Sequence, residues 1–138
     1  MCFRNSLLLV AFFLTIVLGP AFLLQSDPLS ESMERGKIVY ATYCVSCHFQ
    51  EGQGLPGVFP PLAKSDYLIE DLDRSIKQIV FGVSGEMTVN RAVYNGMMQG
   101  FSISDEEVAD VLNYIRNSWG NSAEIVTPEQ VATVKAGK

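Results

Sequence analysis

Cys44-Val45-Ser46-Cys47-His48 sets two thiols three residues apart and an imidazole directly after the second. On a helical turn residues three apart share a face, so both sulfurs can bond along one edge of a flat macrocycle. This is the spacing of covalent haem attachment: thioethers to the two vinyl groups, and the imidazole turned onto the iron as proximal ligand. Other chemistries fit less well. A structural zinc site needs four Cys or His ligands, whereas this chain has three Cys and one His, with Cys2 beyond an apolar segment. A thioredoxin-like pair expects its thiols at a helix start among alternating strands and helices, and no such strand pattern is visible. A disulfide or idle thiols would leave His48 without a role.

A haem that carries electrons in a low-spin state needs a second axial ligand, and a thioether raises the reduction potential. With Met1 excluded, the candidates are Met33, Met87, Met97 and Met98. Met33 falls at a helix start and Met87 opens a strand. Asn95-Gly96-Met97-Met98-Gln99-Gly100-Phe101 reads as a flexible loop well after the attachment motif, the natural route to the other face of a haem. Most methionines only fill cores, so at least one of Met97 and Met98 is expected to pack rather than bind. Glu51 to Pro61 is rich in Gly and Pro and would wrap the His48 side. A rigid carbonyl in Pro60-Pro61-Leu62 could accept the Nδ1 proton of His48, orienting the ring and strengthening it as a donor.

The elements that position these groups read mostly as helices. Ser26 to Ser32 reads as a linker, with Ser32 capping a helix over about Met33–Tyr43 that delivers the chain to Cys44. Gly36, Val39, Tyr40 and Tyr43 share one face of it. Gly36 is a poor helix former, and its use is a close approach by another helix. Ser65 to Leu68 forms a helical turn, and a firmer helix spans about Asp71–Phe81, closed by Gly82. Glu70, Asp71 and Asp73 could suggest a metal site, but acids in a first turn are accounted for by the helix dipole. Met87-Thr88-Val89 and Ala92-Val93-Tyr94 flank Asn90-Arg91 as a small β-hairpin. The last helix starts with Ser104 as cap and Glu107 at the capping-box position. Its apolar stripe runs Val108, Val111, Leu112, Ile115, Trp119, ends at Gly120, and should meet the Gly36–Tyr40 face. Residues 127–138 lack an apolar period and read as a tail.

A chain of 138 residues has room for one domain with a thin core, which a large apolar cofactor would supplement. The net charge of −5 argues against nucleic acid and for a partner with a basic face. From Leu7 to Leu24 the chain is almost wholly apolar, which marks residues 1–27 as an export or anchor segment. About 18 apolar residues suffice to span a membrane, against about 7–15 in a secretory core. No small-x-small cleavage site follows Gly19-Pro20, which favours a retained anchor with Arg4 cytoplasmic and the rest outside. Cys2 precedes the apolar run and reads as a free cytoplasmic thiol.

Taken together, the residues resemble small class I type bacterial cytochromes c. The likeness covers about Glu34–Asn121 and rests on an ordered series. This comprises Glu34-Arg35-Gly36, Cys44 to His48, Gly54-Leu55-Pro56-Gly57-Val58-Phe59-Pro60-Pro61-Leu62, Tyr94-Asn95-Gly96-Met97-Met98, and Tyr114-Ile115-Arg116-Asn117-Ser118-Trp119-Gly120. The resemblance implies one haem c on Cys44 and Cys47, His48 as proximal ligand, Pro60 offering its carbonyl to His48, and Leu62 contacting the cofactor. It implies Met98 as distal ligand. Two residues depart from the family pattern: Gln99 stands where it has proline, and Arg91 where the hairpin often has glycine, a position at which a turn wants positive φ.

The expected fold is therefore mostly α, a cytochrome c fold of helices wrapped around one covalent haem, with a small hairpin before the distal methionine loop. Residues 28–126 form the cytochrome domain. The expected function is one-electron transfer on the periplasmic side of the cytoplasmic membrane, or in the periplasm after cleavage, between redox protein partners. No catalytic triad, acid–base pair or nucleotide loop appears, so neither an enzyme nor a small-molecule substrate is expected. The rivals are a fixed cytochrome subunit of a membrane oxidoreductase, a haem peroxidase or gas sensor with an open sixth position, and a non-haem metal module.

Overall fold

The computed structural model describes residues 27–137. The element order is α1 (Pro28–Tyr43), α2 (Val45–His48), α3 (Asp66–Glu70), α4 (Leu72–Phe81), β1 (Gly82–Val89), β2 (Ala92–Gln99), α5 (Asp105–Arg116) and α6 (Pro128–Ala136). The Leu7–Leu24 segment and Cys2 lie outside the described residues. Among those described, no helix is long and apolar enough to cross a membrane.

α1 and α5 cross face to face, as the Gly36–Tyr40 and Val108–Ile115 patterns require. Val39 and Tyr40 from α1 join Val108, Val111, Leu112 and Ile115 from α5 in one buried cluster, which α4 closes with the fully buried Ile76. α1 starts earlier than expected. Pro28 occupies its first turn and Asp27 its N-cap, since a proline there loses no hydrogen bond and is already set to the helical φ. The supposed linker is thus helical from Pro28. Ser32 is no cap: it is buried mid-helix and donates to Asp110 Oδ1 at 2.5 Å. The guanidinium of Arg35 reaches the same carboxylate with two bonds of 2.7 Å. Asp110 is thereby balanced where a lone buried charge would be costly.

Two helix starts shift by one residue from the sequence reading. Ser65 stands before α3 as its N-cap, accepting from the Leu68 N–H, and Asp71, expected within the first turn of α4, is instead its N-cap, accepting from the Arg74 N–H. Ser104 and Glu107 form a reciprocal capping box on α5. That helix ends at Arg116, earlier than its apolar stripe suggested. Trp119 sits beyond it at φ 52, and its ring packs 5.1 Å from Tyr40 and 5.3 Å from Tyr114. Helical spacing put Trp119 on the correct side for the wrong reason, since the chain reverses to bring it there.

Two further expectations are corrected. Residues 128–136 are helix and not tail: Thr127 and Gln130 form a capping box, and Val131 and Val134 are buried against α4 and α5. Two apolar residues three apart make too weak a period to stand out, yet suffice to dock one helical face. The hairpin is also longer than three residues a side. It pairs antiparallel from Gly82↔Gln99 to Val89↔Ala92, so Met97 and Met98 lie in a paired strand and not in a flexible loop. Asn90 (φ 50) and Arg91 (φ 66) make the two-residue turn, both in the left-handed region that such hairpins demand.

Candidate functional site

The two thiols and the imidazole arise from one local event. α1 ends at Tyr43, Cys44 caps it with its N–H still donating to the Tyr40 carbonyl, and a single further turn, α2, carries Cys47 and His48. The Cys47 and His48 N–H groups both donate to the Cys44 carbonyl, at 3.2 and 3.0 Å. Phe49 (φ 59) then stops the turn. Both cysteines are free and half-buried. Burial pushes the Cys44 thiol up to about 11, with neighbouring Cys47 adding to the shift. At neutral pH Cys44 is a protonated thiol, the opposite of the activated thiolate of a redox pair.

The Gly- and Pro-rich loop folds back over this turn. Gly54 N–H donates to the His48 carbonyl at 3.1 Å, and Leu55 and Phe59 exchange two bonds of 2.8 Å across Pro56-Gly57. Gly54 lies at φ 61, and a Cβ there would come 2.7 Å from the Pro60 carbonyl oxygen. Its missing side chain admits that oxygen, which stands 3.0 Å from His48 Nδ1. A backbone carbonyl can only accept, so Nδ1 must carry the proton. Burial holds the imidazole below its usual range, partly offset by the Pro60 bond. The ring is therefore neutral, with the lone pair on Nε2. That is the tautomer a metal ligand requires.

Leu62 lies on the same loop. Its N–H donates to the Gly52 carbonyl at 2.7 Å, and its side chain packs half-buried against the core.

Strand alternation distinguishes the two methionines. Val93 and Met97 point outward from β2 and are exposed, Met97 to 83%. Tyr94 and Met98 share the opposite face, with Tyr94 buried and Met98 half-buried. Two contacts hold β2 and its continuation near the attachment motif. An added Cβ on Gly96 would lie 3.9 Å from the Val58 carbonyl, and the Phe101 ring stands 5.5 Å from that of Tyr43, which precedes Cys44.

Large apolar side chains are partly exposed on each segment that bears these donors. Tyr43 precedes Cys44, Leu55 and Val58 precede Pro60, and Phe81 sits at the base of the hairpin. A haem fits this set: two unbonded thiols, a neutral oriented imidazole, an inward thioether and apolar surface wanting cover. Among the described residues, no group of three or more His, Cys, Asp or Glu could hold a metal ion.

One supporting residue had no legible role in the sequence. The Tyr40 hydroxyl donates to the Phe49 carbonyl at 2.6 Å, tying α1 to the end of the attachment turn. Its place on the core face of α1 was readable, but its partner is a backbone atom whose position depends on how the turn ends.

Comparison with known proteins agrees with this arrangement. The family model described as cytochrome c matches residues 33–119. Cytochrome c-552 of Thermus thermophilus is 37% identical over 133 residues, spanning 89% of this chain and 84% of that protein. The cytochrome c subunit of alcohol dehydrogenase (quinone) from Gluconobacter oxydans is 38% identical over 90 residues, 64% of this chain but 19% of that protein. The gluconate 2-dehydrogenase cytochrome c subunit of Pantoea cypripedii is 32% identical over 114 residues, 76% of this chain and 25% of that subunit.

Proposed function

The chain belongs to the cytochrome c family and carries electrons on a covalent haem c, and on that premise we propose how it does so and where. Cys44 and Cys47 hold the haem through thioethers, and His48 and Met98 bind its iron from opposite sides. The protein works on the outer side of the cytoplasmic membrane, tethered through Leu7–Leu24. When bound, the haem supplies a one-electron couple at its iron. The residues keep the coordination unchanged between the two oxidation states. Pro60 fixes the ring of His48, burial keeps that ring neutral, and β2 turns the thioether of Met98 inward while Met97 faces water. The observation that carries this reading is the 3.0 Å contact from His48 Nδ1 to the Pro60 carbonyl, which leaves Nε2 as the donor.

The ferric absorption spectrum of the haem-loaded full chain tests it. A sulfur-to-iron charge-transfer band is expected, lost in Met98→Ala and retained in Met97→Ala. A high-spin ferric spectrum in the unaltered protein would instead favour the peroxidase or gas-sensor reading.

A second reading has its own support. The dehydrogenase cytochrome subunits matched here are four to five times the length of the matched region, so a domain of this kind also serves as one part of a larger fixed assembly. On that reading this chain is a bound subunit, and detergent-solubilised membranes should yield it together with larger redox proteins. As a mobile carrier it would purify alone and meet partners that present a basic docking face to its net charge of −5. Sequencing the mature amino terminus from membrane and soluble fractions separates a tethered protein from a released one.

A further inference from the structure

Two glycines fasten the strand that bears Met98 to the end of α4. Gly82 is both the C-cap of α4, its N–H donating to the Gln78 carbonyl, and the first residue of β1. It lies at φ 80, and a Cβ there would come 2.6 Å from the Met98 carbonyl oxygen and 2.8 Å from the Gly100 nitrogen. Gly100 faces it from the other side. Its Cβ would come 2.5 Å from the Val80 carbonyl oxygen and 2.7 Å from the Phe81 carbonyl carbon. Directly beyond, the Phe101 N–H donates to the Ile79 carbonyl at 2.9 Å. Backbone thus lies on bare backbone at the root of the hairpin, and the obstacles are main-chain atoms that cannot rotate away.

We infer that Gly82 and Gly100 are positioning residues for the sixth iron ligand: their missing side chains let β2 lie against the end of α4, setting how far the thioether of Met98 reaches. The inference rests on Met98 being that ligand. α4 is anchored in the core by the fully buried Ile76, so the glycine contact refers the reach of Met98 to the rigid part of the molecule. A Cβ at either glycine must move the strand, because helix ends and ladders yield less readily than side chains. The adjacent Met97 faces water from the other side of β2, and the hairpin and its root, residues 82–101, hold no Lys, His or Cys that could take a vacated position. A displaced Met98 would leave the iron to water or to an added ligand.

Gly85 supplies the control. It lies at φ 102 on the same strand, yet an added Cβ there would meet none of the described residues within 4 Å. Gly85→Ala introduces the backbone strain of positive φ without the collision. Gly100→Ala introduces the collision at a residue outside the positive-φ region, and Gly82→Ala introduces both. The haem-loaded full chain and the three variants would be compared by the ferric sulfur-to-iron band and by the rate at which added imidazole binds the ferric iron. Far-UV circular dichroism would report the fold. Gly82→Ala and Gly100→Ala are expected to weaken the band and to bind imidazole faster by about tenfold, the effect of a modest local free-energy change. Gly85→Ala should match the unaltered protein in both. Should Gly82→Ala fail to take up haem, Gly100→Ala carries the comparison alone.

Equal imidazole rates and intact bands in Gly82→Ala and Gly100→Ala would overturn the inference, as would an equal loss in Gly85→Ala. Absence of the band from the unaltered protein would instead overturn Met98 as ligand.

Discussion

Gly36 on α1 lies directly against the backbone of Asp110 on α5, where a Cβ would collide with the Asp110 carbonyl oxygen and stand 2.9 Å from Tyr114 Cβ. This contact sets the separation of the two principal helices. It brings Tyr40 within ring contact of Tyr114 and Trp119, and its hydroxyl in turn reaches the Phe49 carbonyl beside His48. The helix crossing and the attachment turn are therefore one mechanical unit.

Gly36→Ala should destabilise the haem-loaded protein by about 3 kcal/mol, the upper end for an overpacked contact, because the obstruction is backbone and cannot change rotamer. Better helix propensity returns at most about 1 kcal/mol. Urea unfolding followed by far-UV circular dichroism measures the difference, and unchanged stability would mean that the helices do not cross at Gly36.

Tyr40 makes stability depend on alkaline pH. Burial raises its hydroxyl well above the ordinary tyrosine value, so the unfolded chain releases this proton before the folded one does. The contribution is complete below about pH 10, the unfolded value, and is lost as pH climbs toward the folded one. Tyr40→Phe should cost about 1 kcal/mol at pH 7 through the lost hydrogen bond to Phe49, yet flatten the decline above pH 10. Tyr114, also raised chiefly by burial, leaves a residual slope. Melting temperatures between pH 8 and pH 11 would check the crossing of the two curves.

The C-terminal helix should behave as part of the core. Val131→Ala is expected to cost about 2 kcal/mol by leaving a cavity at a fully buried position. Thr127→Ala should cost about 1 kcal/mol by removing the cap. Differential scanning calorimetry would register both; a true tail would register neither.

Arg91→Gly should stabilise the protein by about 1 kcal/mol. Arg91 holds φ 66 in a turn whose second position favours glycine, and among the described residues its side chain makes no hydrogen bond or ion pair that the exchange would lose. A rise in the urea midpoint with unchanged slope is the expected result. A fall would show that the arginine has a stabilising contact in solution.

Much of the site was readable because its chemistry is local. The spacing of Cys44, Cys47 and His48 needs only one helical turn, the capping box of Ser104 and Glu107 acts within three residues, and a glycine amid the core face of α1 announces a close crossing wherever the partner lies. What could not be read depends on atoms far along the chain. Ser32 looked like a cap because its polar partner, Asp110, is 78 residues away. Residues 127–138 looked like a tail because Val131 and Val134 have meaning only against α4 and α5.

Sequence alone determined that the chain bears an attachment turn with one imidazole, set between helices built to cross, since short-range geometry and hydrophobic spacing are properties of neighbouring residues. Which methionine faces inward was a matter for tertiary structure. Met97 and Met98 are adjacent and chemically alike, and only the pairing of β2 with β1, rooted where Gly82 meets Gly100, turns one thioether toward the interior and the other to water.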